Sequence, residues 1–258
     1  MIRKVMGEVD VKLGIRQTLA AIEEAHSKRS KTSNLPKPLL VAVSKTKPIE
    51  LILDGYSVGQ RDFGENYVQE LVEKANDPRI LDQCKDIRWH FIGHLQTNKI
   101  NKIIGLPNLH MIQTVHDIKL ADNLNKAWEK VKAVDPENQK LNVLVQINTS
   151  GEDEKNGTQP ADAVNLFRHV LEKCPNLLCH GIMTIGRFGH DYGTGPNPDF
   201  IELMKCHQDI CGTFERDPAE LQVSMGMSDD YVNAIEMGST IVRVGSSIFG
   251  ARAKKNAA

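Results

Sequence analysis

"LLVAVSKTKP" (39–48) is an apolar, β-branched run that ends abruptly in Ser44, Lys45, Thr46 and Lys47 before a proline. The run belongs in a protein interior, so its lysine end has two readings. Either the strand has reached water and the lysines are solvated, or a lysine at the mouth of a core is a nucleophile for a carbonyl. The choice depends on where the end of the strand lies in the fold. Seven further short runs have the same character: 61–65, 89–93, 111–115, 142–148, 179–186, 221–227 and 240–246. Helical spacing with charged faces fills the intervals, most clearly in "ADNLNKAWEKVKAV" (121–134) and "PADAVNLFRHVLEK" (160–173).

Alternating strands and helices imply a parallel sheet, because each parallel pair needs a crossover. Eight strands in 258 residues predict an α/β fold, a single (β/α)8 TIM barrel domain over residues 1–258. An open doubly wound sheet is the alternative, and 61–65 and 111–115 are the weakest of the eight runs. "GIRQTLAAIEEAHSKRS" (14–30) predicts an extra N-terminal helix. In "SDDYVNAIEMG" (228–238), Ser228 or Asp229 is the expected N-cap and Gly238 the stop. The Gly/Pro-rich stretch 186–200 reads either as a linker to a second domain or as an active-site loop, and its position after the sixth strand favours the loop.

Composition narrows the function classes. Hydrophobic residues at 40% and charged residues at 25% suit a soluble globular chain. A net charge of -1 supplies no bulk drive toward nucleic acid or anionic membrane. No apolar run approaches the ~20 residues of a membrane helix, and "MIRKVMGEVDVKLG" (1–14) lacks the apolar core of a signal peptide. A cytoplasmic protein is expected, with a mitochondrial pool left open. The five cysteines are odd in number and form no CxxC, so reduced thiols are expected and neither a disulfide framework nor a zinc site.

A barrel carries its site at the C-terminal ends of its strands. Lys45 ends the first. "FGENY" (63–67) brings Glu65, Asn66 and Tyr67, and "WHFIGHLQTNK" (89–99) brings His94, Gln96 and Asn98. The seventh and eighth end in "SMGMS" (224–228) and "RVGSSIFG" (243–250), where barrels commonly bind phosphate. Gly226 and Gly245 would let backbone approach an anion. Ser224, Ser246 and Ser247 could add hydroxyl donors, and Arg243 could pair with phosphate or with a ring nitrogen. A reactive lysine together with a phosphate cradle suggests a phosphorylated aldehyde held as a Schiff base, and pyridoxal 5′-phosphate (PLP) meets both requirements. Lys47 is the rival lysine; it lies further beyond the strand and directly precedes Pro48, so Lys45 is preferred. His90 reads as a core or near-site histidine, and Glu65 as a structural partner orienting a lysine or Asn66.

"VAVSKTKP", "FGENYVQE", "WHFIGHLQTNK", "VQINTSGE", "GIMTIG", "SMGMSDD" and "GSTIVRVGSSIFGAR" occur in order between about residues 35 and 252. Together they resemble the pyridoxal phosphate homeostasis protein family. The resemblance implies a barrel of the alanine-racemase N-terminal-domain type, with PLP bound covalently to a lysine. It also implies binding, buffering and delivery of the cofactor to apo PLP-dependent enzymes, with no established turnover. Carried over by motif, the lysine is Lys45, and Ser224, Gly245 and Ser246 hold the phosphate. Arg243 faces the pyridine nitrogen or reaches the phosphate, and Asn66 and Met183 lie near the ring. The loop after "TIG" is longer than in bacterial members and resembles eukaryotic ones; Asp229 stands where many members carry a small residue.

An arginine near the pyridine nitrogen discourages its protonation and weakens the ring as an electron sink. Racemases built on this barrel add a β-rich domain that supplies a tyrosine base, whereas this chain ends shortly after "IFGAR". Tyr67 and Tyr192 are the only tyrosines considered for that role. The expectation is therefore a monomeric PLP carrier. A single-domain, PLP-dependent racemase-like enzyme is the alternative. A phosphosugar aldolase barrel fits less well, since its Schiff-base lysine usually comes from a later strand.

Overall fold

A computed structural model of the chain describes residues 9–29, 34–134 and 139–251. Its strands are β1 (Leu39–Val43), β2 (Asp62–Glu65), β3 (Arg88–Phe91), β4 (Leu109–Val115), β5 (Leu141–Gln146), β6 (Leu177–Met183), β7 (Gln222–Ser224) and β8 (Ile241–Val244). All eight expected runs form strands, the two weakest included, and they pair in sequence order into a closed parallel barrel. Closure comes from β1 against β8, with Val41 level with Arg243 and Ala42 level with Val244.

The helices are α1 (Val11–Lys28), α2 (Ile49–Ser57), α3 (Val68–Ala75), α4 (Pro78–Gln83), α5 (Ile100–Ile103), α6 (Ile118–Val134), α7 (Ala163–Lys173), α8 (Pro198–Phe214), α9 (Tyr231–Glu236) and α10 (Ser246–Phe249). The extra helix before β1 is present as α1. Among the described residues, no helix is long and apolar enough to cross a membrane. All five cysteines are buried and free, and Cys206 and Cys211 pack within the core from α8. One helix boundary corrects the sequence reading. α9 begins at Tyr231, so neither Ser228 nor Asp229 is its N-cap. The Asp230 carboxylate accepts the Met227 N–H at 2.6 Å and closes a turn there, which delays the helix and leaves the Ser228 side chain available elsewhere.

Strand parity divides the core in two. Ala42, Phe63, Trp89, Ile112, Val143 and Val223 pack with the helices in an outer shell. Val41, Met111, Leu144, Met183 and Ile241 form a separate cluster inside the barrel. The alternation Val41, Val43, Lys45 therefore directs Lys45 toward the barrel mouth, along the inward-facing side of β1.

α1 is fastened to the opposite end of the chain. Gly14 lies so close to α10 that a Cβ would meet the Ile248 Cα and carbonyl oxygen at 3.0 Å. The buried Arg29 guanidinium donates to the carbonyls of Ile235 at 2.9 Å and Pro36 at 3.3 Å, and to that of Ser239. These bonds tie the α1 end to the entry of β1 and the α9–β8 connection. Arg29→Met keeps the aliphatic stem and removes those donors, so it should lower the free energy of unfolding by about 2 kcal/mol. Urea denaturation measures this; an unchanged midpoint would show that the fastening contributes nothing.

Candidate functional site

A cavity of about 300 Å³ opens at the C-terminal ends of β1, β7 and β8, lined by Val43, Lys45, Lys47, Phe188, Met227, Ser228, Asp229, Arg243, Gly245, Ser246 and Gly250. Three cationic side chains face one carboxylate, which favours an anionic occupant. Phe188 comes from the loop after β6, so the Gly/Pro-rich stretch does reach the cavity.

The end of β1 is held from behind by a buried polar cluster. The Ser44 hydroxyl donates to Glu65 Oε1 at 2.6 Å. Lys74, from α3, donates to the same oxygen and to the Ser44 carbonyl, both at 2.8 Å, and to Glu70 Oε2 at 3.1 Å. Glu70 Oε2 also accepts the Thr46 N–H at 2.7 Å. Thr46 has a φ of +61°, an uncommon left-handed geometry for a β-branched residue. The turn it makes ends the strand parity directly after Lys45. Lys47 consequently runs to the other wall, donating to the carbonyls of Gly250 at 2.9 Å and Ala251 at 3.0 Å. Glu65 thus orients a lysine, but that lysine is Lys74.

Arg243 is the buried cation of the site. Its Nη1 donates to Ser224 Oγ and its Nη2 to the Thr184 carbonyl, both at 2.7 Å. Burial pulls its pKa down to about 10, with Asp230 opposing the fall, so it remains charged at neutral pH. Both acceptors are neutral, and among the described residues no carboxylate pairs directly with the guanidinium, which lines the cavity.

At the end of β8 the Gly245 N–H donates to Ser228 Oγ at 3.1 Å, and the Ser247 N–H meets the same oxygen at 3.5 Å. A Cβ on Gly245 would stand 3.3 Å from the Val43 carbonyl oxygen, so the glycine permits the close approach of β8 to β1. Gly226 answers a different need. Its φ is +95°, and a Cβ would meet Ala234 Cβ at 2.6 Å. It lets α9 pack against the loop, and its carbonyl accepts the Arg243 N–H at 3.0 Å.

The eight expected site residues therefore divide. Lys45, Arg243, Gly245 and Ser246 line one cavity. Ser224 lies inside the barrel with its hydroxyl held between Arg243 and Gln113, so it supports Arg243 rather than lining the cavity. Gly226 is a packing and backbone residue. Met183 sits in the interior cluster below. Asn66 is half-buried beside Gly93, and neither it nor Met183 is among the lining residues. Exposed His94 lies beside His116, with ring centroids 4.9 Å apart, and does not line this cavity. Ser228, which lines the cavity and accepts the Gly245 N–H, is the candidate site residue that sequence reasoning missed. The available signal was its position two residues after Gly226 in a strand-end loop, overshadowed by its resemblance to a helix cap.

Glu65 supplies a pH test of the β1 clamp. Burial pushes its pKa up from 4.5 to about 7, against the pull of Lys74 and Ser44. A raised carboxyl pKa stabilises the fold fully below the unfolded value, and that contribution is lost as pH rises through the folded value. Wild-type stability should therefore fall between about pH 5 and about pH 8, and Glu65→Gln should flatten that component. Urea midpoints at the two pH values decide; equal slopes in both proteins would remove Glu65 as the titrating group.

Comparisons with known proteins agree with this geometry. Residues 18–253 match the family model "Alanine racemase, N-terminal domain". The pyridoxal phosphate homeostasis protein of Bos taurus is 50% identical over 95% of this chain and 90% of its own length. The human protein of the same name is 47% identical over the same shares. PipY of Synechococcus elongatus, solved with PLP bound, is 26% identical and superposes with a TM-score of 0.75 over 93% of this chain and 100% of its own. With a closed parallel barrel, a lysine at the end of β1 and a glycine–serine loop after β8, the chain belongs to the alanine racemase N-terminal-domain family and, within it, to the pyridoxal phosphate homeostasis proteins.

Proposed function

We propose that this chain binds PLP covalently through Lys45 and serves intracellular PLP homeostasis, buffering the cofactor and delivering it to apo-enzymes without turnover of its own. The observation that carries the reading is the meeting of Lys45, Arg243, Gly245 and Ser246 around one cavity.

The depths of these groups fit the cofactor's own layout. The β1–β8 register places Val41 beside Arg243. Lys45 follows Val41 by four residues and Gly245 follows Arg243 by two, so both lie nearer the barrel mouth than Arg243, which is deeper than Gly245 by roughly 7 Å. In PLP the aldehyde and the phosphate arm occupy neighbouring ring positions, and the ring nitrogen is opposite the aldehyde. Lys45 takes the aldehyde, the 245–247 loop takes the phosphate, and Arg243 faces the nitrogen. An incoming phosphate can accept the Gly245 and Ser247 N–H groups now directed at Ser228 Oγ, and the Ser228 hydroxyl can turn to donate.

When bound, the cofactor supplies an electron sink whose strength depends on a protonated ring nitrogen. Arg243, charged and with no carboxylate paired to it among the described residues, opposes that protonation. Among the described residues lining the cavity there is no tyrosine. Tyr67 caps the start of α3 and is exposed, and Tyr192 packs edge-on against His190. Both features support a holding role over catalysis.

Purified protein mixed with PLP should develop a visible absorption band that Lys45→Ala abolishes and Lys47→Ala leaves in place. A colourless mixture, or a band that survives Lys45→Ala, would overturn the assignment. Loaded protein should pass its cofactor to an apo-enzyme and should not exchange the α-proton of alanine with solvent. Rapid exchange would favour the racemase-like reading.

A further inference from the structure

A chain of hydrogen bonds crosses the inside of the barrel and ends on Arg243. Ser224 Oγ, which accepts from Arg243, donates to Gln113 Oε1 at 2.7 Å. Gln113 Nε2 lies 3.0 Å from His90 Nδ1, and His90 Nε2 lies 2.9 Å from Asp62 Oδ1. Arg88 Nε closes the far end on Asp62 Oδ1 at 2.7 Å, and its Nη2 bonds the other carboxylate oxygen. The members come from β2, β3, β4, β7 and β8, and each of Asp62, His90, Gln113, Ser224 and Arg243 is at most 4% exposed.

The two charged ends fix the outer bonds of the chain, since the Asp62 carboxylate accepts and the Arg243 guanidinium donates, and the Gln113 orientation in the structure sets those between. Burial alone would raise the Asp62 pKa, but the bonds from Arg88 and His90 outweigh it and hold the carboxyl at about 2. An ionised carboxylate only accepts, so the His90 Nε2 carries the proton. With Gln113 donating its amide N–H, His90 Nδ1 is the acceptor, and the Gln113 oxygen turns to Ser224. The Ser224 proton then points at Gln113, and its lone pairs remain for Arg243. Each step removes a choice from the next, and the last group constrained is the guanidinium at the cavity floor. Reversing the Gln113 amide would place its N–H groups against Ser224 and its oxygen against the His90 lone pair.

We propose that Gln113, although it does not line the cavity, is a positioning residue for Arg243: set by the Asp62–His90 pair, it orients the Ser224 hydroxyl that aims the guanidinium into the cavity. The inference rests on the PLP reading only for what Arg243 meets. The positioning itself is a property of the unliganded chain. Gln113→Leu is close in size and removes both polar ends of the link.

The test is a double-mutant cycle on the full-length protein, with PLP affinity followed by spectral titration. Gln113→Leu should weaken PLP binding by about tenfold, the cost of one misplaced hydrogen-bonded cation. In an Arg243→Gln background the same change should cost less than about twofold, because the residue through which it acts is gone. Equal losses in both backgrounds, or no loss in the first, overturn the proposal. Should Gln113→Leu fail to fold, Ser224→Ala severs the same link with a smaller change and takes its place in the cycle. Side-chain nitrogen NMR of the PLP-free protein separates this proposal from the cofactor reading. The Arg243 guanidinium resonances should shift or broaden in Gln113→Leu, and unchanged resonances overturn the positioning role. Absence of PLP binding by wild type would sink the cofactor reading while leaving the NMR result to judge Gln113.

Discussion

A charged guanidinium enclosed by a barrel, with a hydroxyl and a backbone carbonyl as its acceptors, is the constraint on which this site depends. Enclosing a cation in a low-dielectric interior is costly unless something compensates it. Here Ser224 and Thr184 satisfy two donors of Arg243, and Asp230 helps only through its field. The guanidinium also lines the cavity. This arrangement also explains why the barrel interior is polar along one path. Ser224, Gln113, His90 and Asp62 form a scaffold that carries the cation, surrounded by an apolar cluster of Val41, Met111, Leu144, Met183 and Ile241.

The lysine side of the cavity is built differently. Lys45 owes its direction to strand parity, and its position to a clamp outside the barrel. Ser44 and Thr46, on either side of it, are both fixed by the Glu65–Lys74–Glu70 cluster. The left-handed Thr46 turn costs about 1–3 kcal/mol where such geometry is imposed on a non-glycine residue. The clamp offsets that cost and separates the two lysines of "SKTKP". One points along the strand's inward face, and the other is diverted to the Gly250 and Ala251 carbonyls. A lysine placed on a rigid strand end and braced from behind would suit the proposed capture of an aldehyde in one orientation.

Much of this was legible in one dimension. Eight apolar runs separated by helical spacing were enough for the barrel, because parallel strands require crossovers and a closed sheet of eight is their common solution. The strand-end rule then brought Lys45 and "RVGSSIFG" to one face. Ser224 and Gly226 were harder to interpret. Glycine and serine at a strand end fit a phosphate cradle equally well as a packing contact or a buried hydroxyl. Only the approach of Ala234 to Gly226, and of Arg243 to Ser224, separates these uses. Ser228 was obscured for the opposite reason. Its sequence context fits a helix cap, and the Asp230 side chain, by closing its own turn, shifts the helix start past it.

The sequence alone determined the class of fold, the order of its strands and the lysine that heads the first of them, because periodicity and residue type are local properties. What only the tertiary structure decided is which side chains share a cavity and which merely support it. Gln113 and Ser224 are separated by 111 positions yet joined by a 2.7 Å hydrogen bond across the barrel. Partnerships of that kind follow from closure of the sheet, which brings opposite strands face to face and leaves no trace in local spacing.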